Sequence, residues 1–94
     1  GNIRDCEQFV DVFMGLVLEA TEQVDRISIE GAAVDVDEAA RSLDPERFFE
    51  RTRSLGCDQE DMEALVTTRL EQIRPGTATG SAFLQTLEQQ LASR

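Results

Sequence analysis

The segment from about residue 5 to residue 25 carries apolar side chains at helical spacing, and its apolar face is unusually wide. On a helical wheel this face covers roughly 200°, about twice the width that an ordinary surface helix needs. Its members are Cys6, Phe9, Val10, Val12, Phe13, Met14, Leu16, Val17, Ala20 and Val24. The width predicts a central helix that contacts two neighbours at once, or a helix that lends part of its face to a second subunit.

Capping signals divide most of the remaining chain into shorter helices. Asp37 is expected to cap a helix that ends near Leu43. Asp44 followed by Pro45 marks the start of the next helix. The Asp44 side chain can accept a hydrogen bond as the N-cap, and the Pro45 ring fixes φ at the first helical position, where the backbone N–H has no intrahelical partner to lose. This helix is expected to stop at Gly56, a residue suited to the left-handed C′ position.

Two further helices are predicted towards the C-terminus. Asp58, with Asp61 three residues later, has the spacing of a capping arrangement for a helix that ends before Pro75. After a polar linker, the last helix is expected to begin at about Ser81. It carries one apolar stripe made of Phe83, Leu84, Leu87 and Leu91.

Residues 27–36 leave three interpretations open. Ile27, Ile29, Val34 and Val36 alternate around a glycine, so the segment could form a short hairpin, a continued helix or an ordered loop. Every other predicted element is helical, which predicts an all-α bundle of four to five helices. We expect residues 1–94 to form one domain, and a first residue other than methionine is consistent with excision from a longer chain.

The charge is strongly negative, with 19 acidic residues against nine arginines and no lysine or histidine. Residues 1–46 hold twelve acids and three arginines, a net charge of −9. Nucleic-acid binding depends on basic side chains, so no direct nucleic-acid partner is expected. No apolar run is long enough for a bilayer, so no membrane partner is expected either.

Arginine and cysteine positions add three expectations. Arg47, Arg51 and Arg53 form a small basic island that we expect to pair with the neighbouring glutamates on its own helix. Cys6 and Cys57 have no metal-ligand spacing, so two buried free thiols and a cytoplasmic location are expected.

The residue inventory argues against an enzyme. Without histidine, the serines and cysteines lack the base that activates most nucleophiles, and the Glu-x-x-His pairs of bundle metal sites cannot form. We therefore expect no catalytic residues, no cofactor and no metal site.

Two residues interrupt otherwise regular helical patterns. Arg69 lies on an apolar face, either with its stem on the core and its guanidinium reaching water or an acid, or as an anchor at a protein interface. Gly15 lies in mid-helix at a cost near 1 kcal/mol relative to alanine, so either a close helix contact or simple tolerance is expected.

One short segment, Leu55 to Val66, resembles the start of the second helix in acyl carrier proteins. The positions that match that family's pattern are Leu55, Gly56, Asp58, Asp61, Leu65 and Val66. Gln59 stands where the family carries its serine, so a phosphopantetheine arm cannot be attached. The resemblance implies an acyl-carrier-like helical module that docks on a basic groove of a biosynthetic enzyme.

The sequence thus favours a non-catalytic helical interaction domain that binds a protein partner or a second copy through the apolar face of its first helix. The residues expected to contact the partner are Phe9, Phe13, Leu16, Val17 and Arg69. The alternative is an acidic inhibitor or nucleic-acid mimic that occupies a basic site on another protein. The acyl-carrier-like module is a further alternative.

Overall fold

A computed structural model describes residues 3–94, and within this range the chain forms five helices and no strand. They are α1 (Ile3–Ile29), α2 (Val36–Ser42), α3 (Pro45–Ser54), α4 (Gln59–Gln72) and α5 (Ala78–Ala92). The predicted all-α bundle of four to five helices is therefore confirmed.

The helix starts at Asp44 and Asp58 are confirmed by their hydrogen bonds. The Asp44 carboxylate accepts from the Arg47 N–H at 3.2 Å, and the Asp58 carboxylate accepts from the Asp61 N–H at 3.1 Å. Each bond satisfies one of the N–H groups that lack an intrahelical partner. Gly56 has φ +79° just after α3, so the predicted left-handed stop is also confirmed.

Three predicted boundaries were wrong or incomplete. The helix α1 continues to Ile29 and ends in a turn at Gly31, where φ is +89°. Of the three alternatives for residues 27–36, the hairpin is not formed, and the segment is divided between the end of α1 and a loop that leads to α2. Asp35 rather than Asp37 caps α2, because its carboxylate accepts from the Glu38 N–H. Thr77 caps α5, and the expected polar linker therefore contributes its last residues to the helix.

The core lies around α1, which contacts α3, α4 and α5, while α2 packs on α5. The predicted central helix is thus confirmed. Val10 and Val17 of α1 are fully buried, as are Phe83 and Leu87 of α5. The long axis of the molecule, 45 Å, matches the length of about 40 Å expected for a helix of 27 residues.

The two cysteines are not free thiols, so that expectation was wrong. Cys6 on α1 and Cys57, in the turn between α3 and α4, form a disulfide across 51 residues of sequence. The sequence pattern missed this pair because their proximity depends on how α3 and α4 fold back on the start of α1. The bond fastens the N-terminal part of α1 to the α3–α4 turn.

The disulfide predicts a large loss of stability when both cysteines are replaced by serine. Closing a loop of this length removes chain entropy from the unfolded state, which corresponds to about 4 kcal/mol. Urea unfolding of the double variant and the oxidised wild type checks the prediction, with reduced wild type as the matched control. Equal stability of the oxidised and reduced wild type would contradict it.

Hydrogen bonds of Asp25 join the C-terminal part of α1 to the start of α5. The Asp25 carboxylate accepts hydrogen bonds from the Gly76 N–H at 2.8 Å and from the Thr77 hydroxyl at 2.5 Å, at the start of α5. The Thr77 and Gly76 hydrogen bonds favour the charged form and hold the pKa of Asp25 below its ordinary value. Asp25 therefore links α1 to the loop that positions α5.

This link predicts a specific pH dependence. A lowered pKa in the folded state stabilises the fold above the unfolded-state pKa of about 4, and that contribution is lost as pH falls towards the folded-state pKa. Asp25→Asn should be less stable than wild type at neutral pH, and the difference should shrink below about pH 4. Unfolding midpoints in urea across this range measure the effect. A stability difference that stays constant with pH would contradict the assignment.

Candidate functional site

A strip of apolar side chains remains uncovered on α1. Val12 is 67 % exposed and Leu16 is 48 % exposed, and Phe9 beside them is half-buried. Spacings of three and four residues place the three side chains on the same helix face. Apolar side chains exposed in one continuous strip are a feature of binding surfaces, whereas single exposed apolar residues are common everywhere.

The floor beside this strip is aromatic and comes from the packing of α3 on α1. The Phe48 ring stacks on the Phe13 ring with centroids 4.4 Å apart, and its centroid lies 6.4 Å from that of Phe9. Phe49 meets Phe48 edge-on at 4.9 Å. Aromatic pairs of this kind fix the relative position of two helices. The floor is therefore a set of packed rings that forms within the single chain.

A groove of about 340 Å³ lies between the exposed strip and the outer face of α3. Leu43 closes it at the α2–α3 junction, and Arg47 and Arg51 stand on its α3 side. The expected ion pairs of these arginines with neighbouring glutamates are absent, since neither guanidinium forms an ion pair within residues 3–94. The groove thus combines an apolar wall with two exposed positive charges, and the Asp44 carboxylate lines its end at the start of α3.

Three of the five residues predicted to contact a partner meet at this groove, and two do not. Phe9, Phe13 and Leu16 line it, with Phe13 mostly buried in the floor. Val17 has no exposed surface, so it belongs to the core instead. Arg69 lies between α4 and α1, where its guanidinium pairs with the Asp11 carboxylate, as in the interpretation of an aliphatic stem reaching an acid.

Sequence reasoning did not assign Val12, Leu43, Arg47 or Arg51 to the site. Val12 follows Phe9 by three residues and precedes Leu16 by four, which is the signal that could have found it. The arginines gave no such signal, because glutamates stand beside them in sequence and intrahelical pairing was the simpler expectation. Only the position of α3 against α1 places them at the groove.

The grooves between α1 and α4 are larger, but structural contacts of the bundle already lie along both of them. One, of about 620 Å³, lies over the disulfide, where Met62 is already buried and Asp58 already caps α4. The other, of about 550 Å³, is crossed by the ion pair between Asp11 and Arg69. We therefore take the α1–α3 groove as the candidate site.

Gly15 lies in the second α1–α4 groove and does not mediate a close helix contact. A Cβ atom built at Gly15 has nothing within 4 Å, so the expected close approach was wrong and the interpretation of a tolerated glycine applies. Gly80 of α5 is the opposite case. A Cβ there would overlap the Asp25 carboxylate and lie 3.0 Å from Cβ of Pro75.

Alanine substitutions at Gly15 and Gly80 should change the free energy of unfolding in opposite directions. Gly15→Ala should raise the free energy of unfolding by about 1 kcal/mol, because alanine restricts the unfolded chain and favours the helix. Gly80→Ala should lower it by about 1–3 kcal/mol, since the added methyl displaces Asp25 or Pro75. Urea unfolding of both variants is the measurement. Destabilisation by Gly15→Ala would show that this glycine has a structural role in α1.

In the segment that resembles acyl carrier proteins, the side chain at the attachment position is not free on the surface. Gln59, which stands at the position of the family's serine, is half-buried, and its amide nitrogen donates to the Thr52 hydroxyl at 3.1 Å and to the Cys57 carbonyl at 3.2 Å. Its side chain is therefore engaged in joining α3 to the start of α4.

Metal clusters and membrane-spanning helices are both absent from the part of the chain that the structure describes. No group of three or more histidine, cysteine, aspartate or glutamate side chains there is placed to hold a metal ion. None of the helices in residues 3–94 combines the length and the apolar character that crossing a bilayer requires.

Comparison of the chain with protein-family models, curated protein sequences and solved structures finds no match in any of the three.

Proposed function

We propose that this chain is a non-catalytic protein–protein interaction domain that docks an amphipathic helix in the α1–α3 groove. The observation that carries the proposal is the exposed strip of Phe9, Val12 and Leu16 beside a floor of stacked aromatic rings. An amphipathic helix in an apolar groove is a common recognition mode, with anchors at i, i+3, i+4 and i+7.

The strip offers enough energy for specific docking. Full burial of a valine or leucine side chain contributes about 1.5–3 kcal/mol, and both Val12 and Leu16 still expose about half or more of their surface. Covering them together therefore contributes on the order of 2 kcal/mol, or more than tenfold in affinity. The stacked rings beneath do not need to reorganise, which keeps the ordering cost low.

The alternative proposal, an acidic inhibitor or nucleic-acid mimic, has weaker support. Several acids of its surface have structural partners: Asp11 pairs with Arg69, Asp25 holds the start of α5, and Asp35 caps α2. The acids on which that alternative depends are exposed and form no ion pair within residues 3–94: Glu7, Glu19, Glu22, Asp37 and Glu38.

The disulfide changes the compartment that we propose. Cytoplasmic reductants keep most protein thiols reduced, whereas secreted and periplasmic proteins retain disulfides. The bond between Cys6 and Cys57 therefore favours an oxidising compartment over the cytoplasmic location expected from the sequence.

The test uses a synthetic amphipathic helix with leucine at the a and d heptad positions, glutamate on one flank and glutamine elsewhere. Its affinity is measured by fluorescence anisotropy against wild type, Leu16→Glu and Leu18→Glu. Leu18 is the matched control because it is 46 % exposed on the same helix but lines the α1–α4 groove. Leu16→Glu should weaken binding by about tenfold or more, and Leu18→Glu by less than about twofold.

A second peptide, with lysine in place of glutamate, separates the two proposed functions. Apolar docking of the glutamate peptide should persist near about 1 M NaCl, where exposed charges are screened. Equal losses with both leucine variants, or no binding of the glutamate peptide, would contradict docking in this groove. Lysine-peptide binding that is lost in high salt and insensitive to Leu16→Glu would instead support the acidic inhibitor.

A further inference from the structure

The groove carries an uneven charge pattern along its length. On its α3 side stand Arg47 and Arg51, which form no ion pair within the described residues. On α1 itself, Asp5 precedes Val12 by seven residues and Glu19 follows it by seven, so both carboxylates lie on the same helix face as Val12. Neither of these exposed acids takes part in an ion pair in residues 3–94.

This chain's own α1 therefore has the properties of the helix that the groove fits. Its exposed strip is apolar at the centre, at Val12 and Leu16, and acidic towards both ends, at Asp5 and Glu19. The groove is apolar at its centre and carries two arginines along its α3 side, with one acid, Asp44, at the start of α3. We propose that the partner in the groove is a second copy of this chain, with the α1 helix of each copy docked in the α1–α3 groove of the other. This inference rests on the proposed docking function.

Charge complementarity also selects the orientation of the two copies. A twofold axis parallel to α1 exchanges the two sides of the surface, so the arginines of one copy meet the acids of the other. A twofold axis across α1, in the plane of the interface, would place arginine against arginine. The copies are therefore arranged with their α1 helices parallel, in an isologous dimer.

The direction of α3 identifies the ion pairs. Phe48 lies over Phe9 and Phe13, while the chain that leaves α3 reaches Cys6 through Cys57, so α3 runs back towards the N-terminal end of α1. Arg51 consequently lies nearer that end than Arg47. In a parallel dimer Arg51 pairs with Asp5 of the second copy, and Arg47 pairs with Glu19 of the second copy.

The size of the surface sets the expected affinity. The strip from Asp5 to Glu19 runs about 21 Å along α1, and at about 15 Å across it buries about 300 Å² on each copy. A total of about 600 Å² is below the size of most stable complexes, so the dimer should be weak and reversible, with a Kd of about 100 μM.

Sedimentation velocity of the oxidised wild type over about 5–500 μM is the first experiment, because a dimer with a Kd of about 100 μM changes its sedimentation coefficient over that range. The wild type should shift from monomer towards dimer, Leu16→Glu should weaken the dimer about tenfold or more, and Leu18→Glu should leave it unchanged. A wild type that stays monomeric throughout overturns the inference. The leucine-and-glutamate peptide can still bind in that case, so the proposed docking function is tested separately.

Charge reversal tests the pairing. One variant carries Arg47→Glu and Arg51→Glu, and the other carries Asp5→Arg and Glu19→Arg. Each variant alone should dimerise at least about tenfold more weakly than wild type, because like charges then meet across the interface. A one-to-one mixture should restore the dimer, since one set of pairs reforms with reversed sign and the other set is the native one. Arg53→Glu is the matched control because Arg53 is exposed on α3 but does not line the groove.

The parallel arrangement is tested with Gln23→Cys. This variant places one exposed thiol on the side of α1 that carries the strip, far from the midpoint of the strip. A short bis-maleimide should join the two copies through this position, because it faces its own equivalent in a parallel dimer. A dimer that the mixed variants restore but that gives no cross-link overturns the parallel arrangement. Failure of the mixture to restore the dimer overturns the assigned ion pairs.

Discussion

The buried stripe of α1 is the interaction on which the other helices depend. The helices α2 to α5 contain between seven and 15 residues each, and helices of such length are marginal on their own in water. Three of them gain their stability by packing on α1, where Val10 and Val17 have no exposed surface. The disulfide at Cys6 and the hydrogen bonds of Asp25 fasten this stripe near its two ends.

The wide apolar face of α1 consists of a part that other helices cover and a part that they leave exposed. The part centred on Val10 and Val17 is covered by other helices, and α3 reaches the next part only as far as Phe9 and Phe13. Val12 lies beyond that edge and stays exposed. Because both parts are apolar, the uncovered strip is a surface whose burial by a second molecule is favourable without any change in the fold.

The arginines show how position decides the role of one side-chain type. Arg69 lies between two helices and pairs with Asp11, and Arg94 pairs with Glu63 while its guanidinium lies 3.5 Å from the centroid of the Phe49 ring. Arg47 and Arg51 are exposed beside an apolar groove and form no ion pair within residues 3–94. Arginine is enriched in the centres of protein interfaces because it combines an apolar stem with a charged, planar end.

The sequence by itself determined the all-α class and the starts of α3 and α4. These features depend on contacts within three or four residues, such as the bonds of Asp44 and Asp58 to nearby N–H groups, and such contacts follow from local order along the chain. Of the site, the sequence identified Phe9, Phe13 and Leu16 from helical spacing. Only the tertiary structure decided that Val17 is core, that the cysteines pair across 51 residues, and that Arg69 meets an acid 58 residues away. The reason is that a helical wheel gives the width of an apolar face, whereas the approach of the neighbouring helices determines which part of it they cover.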